Sequence, residues 1–140
     1  MPFQLHPDLA RDGIDIGRFP LSRLLMINDS AYPWFVLVPQ RQGIKDAHEL
    51  SEEDHMQLTR ESRALCGALM AAFKGEKMNV AALGNMTPQL HVHHIVRFKT
   101  DPAWPDAVWG KQPLTKMSAA KIEKRVTTLK AHAPKEVSWC

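Results

Sequence analysis

Apolar and polar positions along the chain change period several times, and each change marks an element. From Ile14 to Arg18 and from Ser22 to Asn28 the residues are short, branched and half-apolar, as strands are, and Phe19-Pro20 between them predicts a hairpin-like turn. Trp34 to Val38 is an almost unbroken apolar run, which predicts a third strand buried on both faces. The period then lengthens. Met56, Leu58, Leu65, Leu69, Met70 and Phe73 recur at helical spacing and form a core-facing stripe. Ser51, three residues before Asp54, resembles a capping pair at the start of this helix, and Lys74-Gly75 supplies a cation and a glycine at its end. Lys77 to Leu83 returns to strand character. Gly84-Asn85-Met86-Thr87-Pro88 then turns the chain into a further strand, Gln89 to Arg97. Asp101 to Pro113 reads as an ordered loop. Ser118 caps a final helix with the face Ile122, Val126 and Leu129, leaving Lys121, Lys124, Arg125 and Lys130 as its solvated side. Strands, a long helix, strands and a second helix imply an α+β fold with a mainly antiparallel sheet.

The most informative segment is Gln89-Leu90-His91-Val92-His93-His94-Ile95-Val96-Arg97. Read as a strand, it alternates faces, so Gln89, His91 and His93 share one side and Leu90, Val92 and His94 the other. Successive members of the row stand about 7 Å apart, twice the rise per residue. Two imidazoles and an amide beside a turn of small and polar residues suit a metal or a phosphate better than an apolar core. A neutral imidazole can attack phosphorus or bind a metal, and a charged one can steady a phosphate oxygen.

Composition narrows these alternatives. With 140 residues the chain supports one domain, and 44% hydrophobic with 24% charged residues is ordinary for a globular protein. A net charge of +3 without a clustered basic stripe speaks against nucleic-acid binding. Cys66 and Cys140 suggest neither a disulfide framework nor a cysteine-based zinc site. Met1 to Gly13 lacks the pattern of a signal peptide, and the longest apolar run, Ala64 to Phe73, is too short to span a bilayer. The expected location is cytoplasmic, with no membrane partner. Phosphate-loop and dinucleotide-binding glycine motifs are absent. Metal binding by His91 and His93 would need a third ligand, for which His55 and His132 are the remote candidates.

The histidine segment resembles the signature of the histidine triad (HIT) family, three alternating histidines followed by two apolar positions and often an arginine. Anchoring on Ile95-Val96-Arg97 puts Gln89 at the first position, His91 at the central one and His93 at the third. The register with His91 first would leave Ile95 in the third position and is less satisfactory. Leu25-Met26-Ile27-Asn28-Asp29 and Tyr32-Pro33-Trp34-Phe35-Val36-Leu37-Val38-Pro39 are similar to the family's strand pair. Leu50 to Asp54 leads into its long helix, and Asp101 to Gly110 looks like the tail of a bacterial branch. Departures are Gln89 for the first histidine, Trp34 where some branches carry a fourth histidine, and His94 at a usually apolar position.

The resemblance implies a single HIT-like domain over residues 1–140, with residues 101–140 as a C-terminal extension of loop plus helix. It implies a sheet of about five strands, a homodimer and no cofactor. The implied activity is that of a nucleotide hydrolase or nucleotidyl transferase, such as the diadenosine polyphosphate hydrolases, acting through a nucleotidyl-histidine. His91 would then be the nucleophile, its far nitrogen held by a strand carbonyl near Gln89, with His93 bonding the phosphate or leaving group and Gln89 serving to orient. Asn28 would meet the ribose; Gly84, Asn85 and Thr87 the phosphate; and Arg97 would offset its charge. Loss of the first histidine leaves open a non-catalytic nucleotide-binding role.

Overall fold

The computed structural model describes residues 2–140 and shows an α+β fold built on one antiparallel sheet. A short helix, α1 (Pro7–Asp12), precedes strands β1 (Gly13–Arg18), β2 (Ser22–Ile27) and β3 (Trp34–Pro39). The long helix α2 (Glu52–Phe73) follows, then β4 (Lys77–Ala81), β5 (Val92–Arg97), α3 (Ala119–Lys130) and β6 (Ser138–Trp139). The sheet has six strands in the order β4-β5-β3-β2-β1-β6, one more than expected. The extra strand is the two-residue β6, which pairs Trp139 with Gly17 and Ser138 with Arg18, too short a stretch to leave a periodic signal.

The histidine strand starts later than its sequence pattern suggests. Pairing with β3 begins at Val92, opposite Leu37, so Gln89 to His91 lie outside the ladder and are not bound to strict alternation. The preceding strand likewise ends at Ala81 rather than Leu83.

The sheet separates two apolar clusters, and alternation explains the partition. Leu24, Met26, Phe35, Leu37, Val92 and Val96 face α2 and α3, packing on Leu58, Leu65, Leu69 and Leu129. Leu25, Ile27, Trp34, Val36, Val38 and Ile95 face the other way and are covered by Leu9, Ala103 and Val108. Among the described residues no long helix covers that second face, and the candidate cleft lies there. Met56, expected in the helical stripe, is 49% exposed.

At the start of α2 the Ser51 hydroxyl accepts the Asp54 amide N–H, whereas the Asp54 carboxylate binds Arg41 instead of closing a capping box. At its end the left-handed residue is Lys74 (φ 54°). Gly75 is required for another reason: a Cβ there would lie 2.3 Å from Val96 Cγ1.

Two buried charged groups lock the elements together. Glu61 accepts the Leu21 and Ser22 amides at 2.7 and 3.1 Å and the Gln57 side chain at 2.9 Å, tying α2 to the β1–β2 turn. Arg125, read from the sequence as solvated, is buried. It donates to the carbonyls of Asp29, Tyr32 and Ser30 at 2.7–2.8 Å, because the β2–β3 turn leaves those oxygens without strand partners.

Candidate active site

His91 stands one residue before β5, where the chain enters the ladder. Its Nδ1 lies 2.7 Å from the carbonyl oxygen of Gln89. A carbonyl can only accept, so Nδ1 carries the proton and Nε2 keeps its lone pair. His91 is 7% exposed and lines a cleft of about 390 Å³ on the sheet face opposite α2.

His93, two residues on, has its ring centroid 4.9 Å from that of His91 and meets it edge-on. The Trp34 indole N–H donates to His93 Nδ1 at 2.9 Å, which leaves Nε2 as the protonated nitrogen. Burial, reinforced by the neighbouring imidazoles of His91 and His94, pushes the pKa of His93 down to about 3. The two imidazoles are therefore fixed in opposite tautomers: His91 with a free lone pair at Nε2, and His93 with a donor there.

One wall of the cleft is the turn after β4, contributing Gly84, Asn85 and Thr87. Gly84 adopts φ 74°, a conformation that costs a residue with a Cβ and suits glycine. The opposite wall is α1, with Asp8, Leu9, Arg11 and Asp12. Thr87 Oγ1 donates to Asp8 Oδ2 at 2.8 Å, joining the walls, and this hydrogen bond holds the Asp8 carboxyl below its ordinary pKa. Ile27, Trp34 and Trp109 form an apolar floor, and the exposed Leu83, Met86 and Leu114 stand at the mouth. Arg11 is the sole lysine or arginine among these lining residues and is paired with Asp12 at 3.0 Å.

His91, His93, Gly84, Asn85 and Thr87 are thus brought together. Gln89, Asn28 and Arg97 are not. The Gln89 side chain turns away from the histidines: its Oε1 accepts the His6 amide at 2.8 Å and its Nε2 donates to the Gln4 carbonyl at 2.9 Å. It is the backbone of Gln89 that reaches His91. Asn28 Oδ1 accepts the Met117 amide at 2.8 Å, bracing the end of β2 against the C-terminal segment rather than lining the cleft. Arg97 is 1% exposed and engages Asp101, Asn79 Oδ1 and the Asp106 carbonyl, with Trp104 beside its guanidinium; it offsets no charge in the cleft.

His94 faces the opposite side of the sheet. Its Nδ1–H donates to the Val92 carbonyl, so its Nε2 accepts the Ser62 hydroxyl at 2.7 Å; burial lowers its pKa to about 4. Among the described residues, no three His, Cys, Asp or Glu side chains converge as metal ligands, and His55 and His132 are exposed positions on or beyond the helices. The site residues that sequence reasoning passed over are those of α1. A proline followed by an acid and then Leu9 is a helix-start signal, but six residues are too few to show a period.

Fold and cleft together define an α+β protein that presents two complementary imidazoles at the start of β5, the strand next to the sheet edge. The HIT domain profile matches residues 11–100, and the chain belongs to the HIT domain family. It is similar along nearly all its length to three crystallised histidine triad proteins. That from Marinobacter aquaeolei is 46% identical, with 95% of this chain and 100% of that chain covered and a TM-score of 0.87. The Bradyrhizobium japonicum protein is 40% identical over 96% of this chain and 100% of its own, with a TM-score of 0.93. The Sinorhizobium meliloti protein is 38% identical over 93% and 96%, with a TM-score of 0.91. No curated protein matches.

Proposed function

We propose that this protein is a nucleotide hydrolase or nucleotidyl transferase that acts at the α-phosphorus of a nucleoside monophosphate conjugate, a phosphoanhydride or a phosphoramidate. The observation that carries the reading is the pairing of tautomers. Hydrogen bonding to the Gln89 carbonyl leaves His91 Nε2 as a lone-pair nucleophile, and neutral His93 offers an N–H donor beside it. Attack by His91 Nε2 gives a nucleotidyl-histidine. His93 Nε2–H and the amides of the Gly84–Thr87 turn stabilise the charge that grows on the phosphate oxygens, a contribution of about 3–4 kcal/mol per well-placed donor. The apolar floor of Ile27, Trp34 and Trp109 suits the flat face of a nucleobase.

The test is incubation with dinucleoside polyphosphates and with adenosine phosphoramidates, alongside His91→Ala. Wild type is expected to turn over at least one class and to show a nucleotidyl adduct on His91 by mass spectrometry. The variant should lose on the order of 10⁴-fold or more in kcat. Indistinguishable proteins would sink the catalytic reading, and tight mononucleotide binding without turnover would support a binding role instead.

We further propose a homodimer. β4 is an edge strand of the sheet, and Val80 on it, with Leu83 and Met86 beyond it, is exposed at 48%, 45% and 93%. An unpaired edge with apolar side chains is a ready surface for a second copy. Light scattering should give twice the chain mass, and Val80→Lys should shift it towards the monomer.

A further inference from the structure

The position of Trp34 bears on which leaving groups the site accepts. Its indole N–H can only donate, and it occupies His93 Nδ1 at 2.9 Å. The indole is itself held: it is 8% exposed and met edge-on by Tyr32 at 6.3 Å and Trp109 at 5.9 Å. For His93 to give a proton to a departing group, it would first have to carry two. The second would sit on Nδ1 and face the indole N–H across the same 2.9 Å, donor against donor. We propose that Trp34 locks His93 as a neutral hydrogen-bond donor and thereby restricts the site to leaving groups that depart as stable oxyanions. This substrate class rests on the nucleotidyl-transfer reading above.

The other groups lining the cleft do not supply the missing acid. The His91 Nδ1 proton is committed to the Gln89 carbonyl, and its Nε2 is the attacking atom. Asp8 is held as a carboxylate by the Thr87 hydroxyl, which donates its proton to it. Asp12 is paired with the guanidinium of Arg11, which is permanently charged. Burial of His93, which lowers its pKa to about 3, acts in the same direction as the indole.

The first step then balances without proton transfer. The lone pair of His91 Nε2 forms the N–P bond as the P–O bond to the leaving group breaks. The electron pair of that bond departs on oxygen, and the ring becomes a cation that keeps its Nδ1–H on Gln89. Water afterwards attacks phosphorus, the N–P electron pair returns to Nε2, and the proton of the water passes to solvent. Phosphate, carboxylate and aryl oxide can leave this way. An amine leaving from a phosphoramidate must gain a proton on nitrogen, and nothing in the cleft provides it.

The experiment has two arms. In the first, wild type is assayed on 5′-nucleotidyl aryl esters of graded phenol acidity, a 5′-nucleotidyl anhydride and the matching phosphoramidate. kcat/KM is expected to fall steeply as the leaving group becomes more basic, and the phosphoramidate to lie about 10²–10⁴-fold below the anhydride, the usual size of a general-acid contribution. In the second, ¹⁵N NMR should show His93 Nδ1 unprotonated from pH 8 to pH 5. Trp34→Phe removes the opposing donor and should raise the pH at which His93 titrates towards its ordinary value without reaching it, since the burial remains, and should narrow the gap between the two substrates. Equal turnover of phosphoramidate and anhydride by wild type, or protonation of His93 Nδ1 near neutrality, overturns the proposal, whether or not the variant folds. Failure to turn over any of these compounds overturns the nucleotidyl-transfer reading and the substrate class with it, a result distinct from rapid phosphoramidate cleavage.

Discussion

At the scale of single residues, Gln89 divides its work between backbone and side chain. The carbonyl fixes the tautomer of His91, while the amide group clamps His6 and Gln4, seven and nine residues ahead of the first sheet strand. Any residue supplies a carbonyl, so the substitution of the first triad position leaves the means of orienting His91 intact. Gln89→Ala is therefore expected to keep kcat within about threefold of wild type, equivalent to about 0.6 kcal/mol. The lost clamp should lower stability by about 1–2 kcal/mol, the worth of two partly exposed hydrogen bonds. Steady-state kinetics and urea unfolding on the same preparation separate the two, and a collapse of kcat would mean that the side chain takes part in the chemistry. The sequence pattern placed His91 and His93 side by side, as the structure does, but put the Gln89 side chain in the same row, since alternation is enforced only inside a hydrogen-bonded ladder, and that ladder opens at Val92.

At the scale of elements, what could be read in advance was whatever repeats. The long helix, strands β2 and β3 and the cap at Ser118 each show over several residues or a distinct signal. α1 and β6 are too short for that, and the buried roles of Glu61 and Arg125 depend on distant backbone groups that no local pattern encodes. β5 carries a further consequence, because it buries two neutral imidazoles, one on each face of the sheet. His93 and His94 have pKa values of about 3 and about 4, below the ordinary 6.5 that they regain on unfolding. The unfolded chain therefore binds more protons than the folded one over this range, and stability falls as pH falls. The contribution is fully present above about pH 6.5. Each histidine then removes about 1.4 kcal/mol per pH unit, His94 until about pH 4 and His93 until about pH 3. Between pH 6.5 and 5 the carboxylates, with ordinary pKa values near ~4, remain largely ionised, so the histidines dominate there. Denaturant midpoints should drop clearly from pH 7 to pH 5, and a flat profile would show that these imidazoles are not buried neutral.

At the scale of the whole molecule, the C-terminal segment helps to build the candidate cleft. Its loop places Trp109 and Leu114 in the cleft, and Met117, Thr115 and Arg125 all bind the β2–β3 turn, which leads into Trp34, the residue that holds His93. No other buried cation reaches three main-chain oxygens in this fold's described residues, and those three lie within four positions of one tight connection, at Asp29, Ser30 and Tyr32. Removing the guanidinium leaves the Asp29 and Tyr32 carbonyls without side-chain donors, at about 1–3 kcal/mol for each that water cannot reach, while Ser30 keeps Lys121 Nζ at 3.1 Å. Arg125→Ala is thus expected to lose about 3–5 kcal/mol of stability, on the scale of other breaks in a buried charged network. Arg125→Lys should recover only part of it, because one ammonium cannot reproduce a planar fork. Thermal unfolding ranks the three proteins, and the intrinsic fluorescence of the four tryptophans, Trp34 and Trp109 among them, should change with that ranking if the turn and the loop loosen as one. Equal melting temperatures for wild type and Arg125→Ala would show that α3 merely rests on the sheet, and that the cleft holds its shape without it.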